Sequence, residues 1–133
     1  MLHKELTERI ICAFYNTYNI LGYGFLEKVY ENALAYELRQ SGLQANQQES
    51  VKVFYCGFEV GNYVADIVVN KQVILEIKAT DALRNEHLAQ LTNYLKATDK
   101  EVGLLLNFGN KPDFKRIVLG NETKSWHIDR ATR

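Results

Sequence analysis

Two apolar runs of strand length carry charges in their interiors, and this narrows what the chain can become. The first is Tyr63-Val64-Ala65-Asp66-Ile67-Val68-Val69; the second is Val73-Ile74-Leu75-Glu76-Ile77-Lys78. Segments this apolar are normally buried, and charged groups are rarely buried without a partner. A divalent cation shared by the carboxylates would supply one, because groups that repel each other become its ligands. A strand-edge ion pair is the plainer account.

Parity decides whether the charges meet. Side chains alternate along a strand, so Glu76 and Lys78 share a face while Leu75 and Ile77 point the other way. The runs are joined by Asn70-Lys71-Gln72. A three-residue loop pairs 69 with 73 and sets Asp66 opposite Glu76; a two-residue loop pairs 66 with 75 and sends the two acids to opposite faces. Asn70 tolerates the left-handed conformation that either loop demands. Directly opposed residues have Cβ atoms roughly 4.5–5.5 Å apart. Two carboxylates at that spacing can reach one Mg²⁺, whose oxygen ligands lie at about 2.0–2.1 Å. Lys78 could orient or deprotonate a water, or neutralise charge developing on a phosphate.

The rest of the chain reads as an ordinary α/β domain. Leu6, Ile10, Phe14, Thr17, Tyr18 and Leu21 recur at helical spacing and predict a helix over 3–20, broken by Gly22 and Gly24. A second helix is predicted over about 25–41, with Leu26, Val29, Tyr30, Ala33, Leu34 and Leu38 on one face and Gly42 closing it. A strand follows around 48–56, then a turn bracketed by Gly57 and Gly61. The charged strands occupy about 62–69 and 73–79; apolar residues on both faces place them centrally in the sheet. A third helix runs from about 84 to 98, followed by a buried strand at 102–106 and a strand nearer the edge at 114–119, with Pro112 in the loop between them. The order ααβββαββ describes a single domain over 1–133 with a mixed sheet, its core at about 6–118 and a basic tail at 119–133.

On the third helix His87, Gln90 and Tyr94 share one face beside the Leu88, Leu91 and Leu95 stripe. A hydrogen-bonding row next to a buried row marks the rim of a cleft. His87 can be a ligand or a structural residue there, and packing alone would also explain Tyr94.

No apolar run approaches the roughly 20 residues needed to span a bilayer, so no membrane association is expected. Cys12 and Cys56 lack metal-type spacing and lie in apolar segments; two reduced, buried thiols in a cytoplasmic protein are expected. Net charge is +0 from 16 Lys/Arg and 16 Asp/Glu. That counts against a nucleic-acid partner, which usually leaves an electrostatic footprint. The distribution is less even: residues 111–133 hold Lys111, Lys115, Arg116, Lys124, Arg130 and Arg133 against Asp113, Glu122 and Asp129, a local +3.

Asp66 followed by Glu76-x-Lys78 on the next strand resembles the signature of the PD-(D/E)XK nuclease superfamily. Gln90-x-x-x-Tyr94 resembles the accessory helix motif of its recombination-type branch. Gly24-Phe25-Leu26-Glu27-Lys28-Val29-Tyr30 is similar to the motif that names the GxxExxY proteins, and the similarity runs from about Leu6 to Val118. The resemblance implies a restriction-endonuclease-like αβββαβ core with a mixed central sheet flanked by helices, one or two Mg²⁺ (or Mn²⁺) ions, and phosphodiester hydrolysis of nucleic acid. By that carry-over Asp66 and Glu76 are metal ligands, Glu27 assists the metal or its water, Lys78 is the catalytic lysine, and Gln90 and Tyr94 support the site. Ala65 stands where the superfamily motif has proline.

Glu27 rests on the motif and not on periodicity. With Leu26 at the centre of the apolar stripe, about 100° per residue puts Glu27 at its edge and makes Glu37 the more inward carboxylate. A second written match, Pro112-Asp113 followed by Glu122-Thr123-Lys124, lies among Gly109, Asn110, Gly120 and Asn121 and is expected to be solvated loop charge. The expectation is therefore a metal-dependent nuclease. The alternative is a catalytically silent module of the same fold that binds nucleic acid or a protein partner, which neutral charge favours. A homodimer is open.

Overall fold

A computed structural model describes residues 2–124; the tail from 125 onward, with most of the expected basic segment, lies outside the described residues. The chain forms α1 (Lys4–Leu21), α2 (Glu27–Gln40), β1 (Ala45–Tyr55), β2 (Phe58–Val69), β3 (Val73–Lys78), α3 (Asn85–Ala97), β4 (Val102–Phe108) and β5 (Pro112–Val118), ending in a short 3₁₀ turn. This is the ααβββαββ order, with two adjustments. Gly61 lies inside β2 and not in a turn, because the reversal is made by Cys56 and Gly57, both at positive φ. Pro112 opens β5, and the first position of a strand tolerates a residue with no amide proton.

The sheet has the order β1-β2-β3-β4-β5, so β3 is central. Its only parallel pair among the described strands is β3 with β4, joined through α3; the other neighbours run antiparallel. Helices α1 and α2 cover one face, where Phe14, Tyr30, Leu34, Leu38, Leu75, Ile77, Leu104 and Phe108 are buried together. Tyr30 stacks on Phe108 at 4.5 Å and Phe14 meets the same ring edge-on at 4.8 Å. Helix α3 covers the other face, where Leu91, Tyr94 and Leu95 pack on Ala65, Val68, Ile74 and Leu105. Gly103 permits that approach, since a Cβ there would come within 2.8 Å of Leu91.

The expected stripe on α2 is rotated. Leu26 is 81% exposed and Val29 is exposed, while Tyr30, Glu31, Leu34, Ala35 and Leu38 are buried. Glu37 is only partly buried. The hydroxyl of Tyr30 explains where α2 begins: it donates to the carbonyl of Gly22 at 2.6 Å and accepts from the Phe25 amide at 3.1 Å. Gly22 and Gly24, at φ 72° and 118°, let the chain double back to meet it.

Two further expectations are corrected. Cys12 and Cys56 are exposed, one on the outer side of α1 and one at the hairpin tip. Lys124 is buried, its ammonium donating to the carbonyls of Thr98 and Lys100 and to Asn121. It closes the α3–β4 connection, where solvated charge had been expected.

The end of β3 is held by Asn107, which is 2% exposed. Its side chain accepts from the Thr80 amide and donates to the Thr80 carbonyl, both at 3.0 Å. Gly109 lies against the same carbonyl, with no room for a Cβ. Asn107→Ala takes the partner from the half-buried Thr80 amide and carbonyl, so unfolding in urea should show a loss of about 1 kcal/mol.

Candidate metal and nuclease site

The loop between β2 and β3 is the odd-numbered one. Val69 pairs with Val73, Val68 with Ile74 and Ile67 with Leu75, and Asn70 and Lys71 adopt positive φ to make the turn. Continuing that register by one residue sets Asp66 opposite Glu76. There the backbone ladder stops, although both strands continue. Each carboxylate takes over a hydrogen bond from the opposite strand: the Asp66 amide donates to Glu76 at 3.0 Å, and the Ile77 amide donates to Asp66 at 2.8 Å. The two acids are therefore fixed by the backbone they interrupt.

Lys78 lies on the Glu76 face of β3, and its ammonium donates to Gln90 Oε1 at 3.3 Å; Gln90 Nε2 in turn donates to the Tyr94 hydroxyl at 3.1 Å. Helix α3 thus brings Gln90 and Tyr94 to Lys78, as a row three and seven residues from His87 would allow. His87 itself turns to the helix start, where its Nδ1 accepts from the Arg84 amide at 3.0 Å. Tyr94 is only 4% exposed and packs on Tyr63 at 5.6 Å between ring centres.

Glu27 does not join this group. It is the first residue of α2 and exposed, and among the described residues no hydrogen bond or ion pair ties it to Asp66 or Glu76. The buried carboxylate of α2 is Glu31, 4% exposed, one helical turn further on. Gln47 donates to it at 2.8 Å, Gln48 at 3.0 Å and Lys28 at 3.3 Å. Glu31 was missed because the apolar stripe had been anchored on Leu26 and Val29. A stripe read through Tyr30, Leu34, Ala35 and Leu38 contains it. Gln48 was missed as well, since no composition rule singles out a strand glutamine.

Burial dominates the electrostatics. It pushes the Glu76 carboxyl up to about 8, and the neighbouring Asp66 charge adds to the rise, while the Asp66 amide and Lys78 oppose it. Burial likewise raises Asp66, countered by the Ile77 amide and reinforced by Glu31. Tyr94 is raised by burial and by the Glu76 charge. Lys78 is the positive charge that both carboxylates feel, but its ammonium bonds Gln90 and forms no ion pair with either of them.

Among the described residues no group of three or more His, Cys, Asp or Glu side chains is set closely enough to hold a metal ion, and Glu27 is not gathered with Asp66 and Glu76. What the site offers is a pair of hard oxygen donors, Asp66 and Glu76, under-neutralised and fixed in place. That fits Mg²⁺ or Mn²⁺, which commonly take one or two carboxylates and complete their shell with water and phosphate oxygens.

A raised acid pKa makes the folded state the better proton binder between the unfolded value, 4.5, and about 8. Stability of the metal-free protein should therefore fall as pH rises through that window. Thermal melting in chelator is expected to give a higher midpoint at pH 5 than at pH 8. Glu76→Gln should flatten the difference and raise the pH 8 midpoint.

Among the described residues no helix is long and apolar enough to cross a membrane. No curated protein matches the chain. A crystal structure of the protein SSO0001 is similar in fold, with a TM-score of 0.55 at 20% identity over 89% of this chain. The match covers 60% of that protein's chain, so the sequence here spans less than two thirds of it. The model of the PD-(D/E)XK nuclease superfamily matches residues 4–117. With β2 and β3 presenting Asp66, Glu76 and Lys78 at one end of a mixed sheet, the chain belongs to the PD-(D/E)XK nuclease superfamily.

Proposed function

We propose that the protein is a divalent-cation-dependent nuclease acting on nucleic acid phosphodiesters, with Asp66 and Glu76 as the cation's ligands. The observation that carries this reading is the exchange of backbone bonds at the β2–β3 junction, which sets the buried Glu76 and half-buried Asp66 carboxylates side by side, with Lys78 the cation that acts on both. When bound, the cation would supply Lewis-acid polarisation of a phosphate and cancel the charge that burial makes costly. Glu31, and not Glu27, is then the α2 carboxylate that adds negative potential beside the ligands, since its charge is felt by both. The motif Gly24-x-x-Glu27-x-x-Tyr30 acts through its glycine and tyrosine, which set the start of α2 and so deliver Glu31.

Lys78 is the group that meets the reacting phosphate or the attacking water. Held by Gln90, which is held by Tyr94, its ammonium stays off the carboxylates and open to an incoming oxygen. From there it can orient a water for in-line attack or hold charge developing on the phosphate. Gln90 and Tyr94 are positioning residues for that amine. The neutral net charge supports a second reading, a non-catalytic binding module of the same fold.

Calorimetry with Mn²⁺ and a cleavage panel of single- and double-stranded DNA and RNA separate the two. Wild type should bind Mn²⁺ and cut one or more panel members, and Asp66→Ala and Glu76→Ala should lose the metal. Lys78→Ala should keep the metal and cut about 10²–10⁴-fold more slowly. Glu31→Gln should cost far more activity than Glu27→Gln. Metal binding without any cutting would favour the module; full activity in Glu76→Ala would move the active site elsewhere.

A further inference from the structure

Strand β1 breaks regular geometry at a single residue beside the site. Gln48 has φ 55°, between Gln47, which pairs with Ile67, and Glu49, which pairs with Ala65. It therefore stands across the ladder from Asp66. A non-glycine side chain in the left-handed region is strained, and such strain persists only where the surroundings over-determine it. Burial is not the cause, because Gln48 is exposed.

The side chain supplies a reason. Its Nε2 donates to Glu31 Oε1 at 3.0 Å, and the amide lies near enough to Asp66, across the ladder, to draw its carboxyl pKa down a little. Gln47 holds the other oxygen of Glu31 at 2.8 Å. A primary amide carries two N–H donors, so the one not used on Glu31 is available to Asp66. It is also neutral. A lysine or arginine in its place would hold the same two acids but cancel the charge that attracts a cation.

We propose that Gln48 is a positioning residue whose side-chain amide ties Glu31 of α2 to Asp66 of β2, fixing both carboxylates at the site without neutralising them. This rests on the divalent-cation reading above and assigns to β1 a part in it. The backbone at Gln48 has a separate task. Ala45 and Val51, which regular alternation would place on one face, are buried in opposite clusters, and the left-handed residue lies between them.

Glycine adopts positive φ without strain, so Gln48→Gly keeps the backbone break and removes only the amide. Its melting midpoint should equal or exceed that of wild type, while its Mn²⁺ affinity by calorimetry should fall about 10–100-fold, the usual effect of losing an outer support of a metal site. Gln48→Lys should fold and bind Mn²⁺ more weakly still, and Gln48→Asn, whose amide is shorter, should fall between glycine and wild type. In metal-free wild type, nuclear Overhauser contacts from the Gln48 side-chain amide to both Glu31 and Asp66 are expected. Absence of those contacts, or Mn²⁺ affinity in Gln48→Gly within about twofold of wild type, overturns the proposal. A wild type that binds no divalent cation overturns the nuclease reading, and the Overhauser contacts then decide the bridge alone.

Discussion

The exchange of hydrogen bonds between Asp66 and Glu76 is the constraint on which the site depends. At this point the β2–β3 ladder ends and each acid accepts an amide proton from the other strand. The carboxylates thereby satisfy backbone donors that would otherwise be left unpaired in a buried segment. Fixed in this way they cannot relax apart, and the burial that fixes them raises both their pKa values. A structural feature and a chemical one have the same origin.

Around that junction the two faces of the sheet contribute different things. The α1/α2 side supplies negative charge through Glu31, whose placement follows from the Tyr30 clamp on the Gly22–Phe25 loop. The α3 side supplies the amine and its supports, Lys78, Gln90 and Tyr94. Groups from opposite faces of a sheet normally stay apart by its full thickness. Here they reach one end of the sheet because the strands stop pairing there, and because Ala65 and Ile67 bury on opposite sides of Asp66.

Much of this was legible from particular residues. Alternation within Val73–Lys78 put Glu76 and Lys78 on one face and reduced the place of Asp66 to a choice between two loop lengths, which the Val69–Val73 pairing then decided; helical spacing brought Gln90 and Tyr94 to one face. Glu31 was hidden because exposed Leu26 and Val29 mimic an inward stripe; near a helix start, apolar side chains can project past the body they would pack on. The exposure of Cys12 and Cys56 and the burial of Lys124 were unreadable for a related reason, since an apolar or polar neighbourhood in sequence does not say which way a given side chain points.

Local pattern alone determined the order of elements, the central place of the charged strands and the shared face of Glu76 and Lys78, because periodicity is a property of short stretches of chain; the loop parity that brings in Asp66 came from the strand register. Tertiary structure decided which α2 carboxylate turns inward, that the left-handed Gln48 is hydrogen-bonded to Glu31 across the ladder from Asp66, and that Lys78 rests on Gln90. Those outcomes depend on the rotation of a helix about its axis and on where a ladder stops. Both are set by packing between segments far apart in the chain.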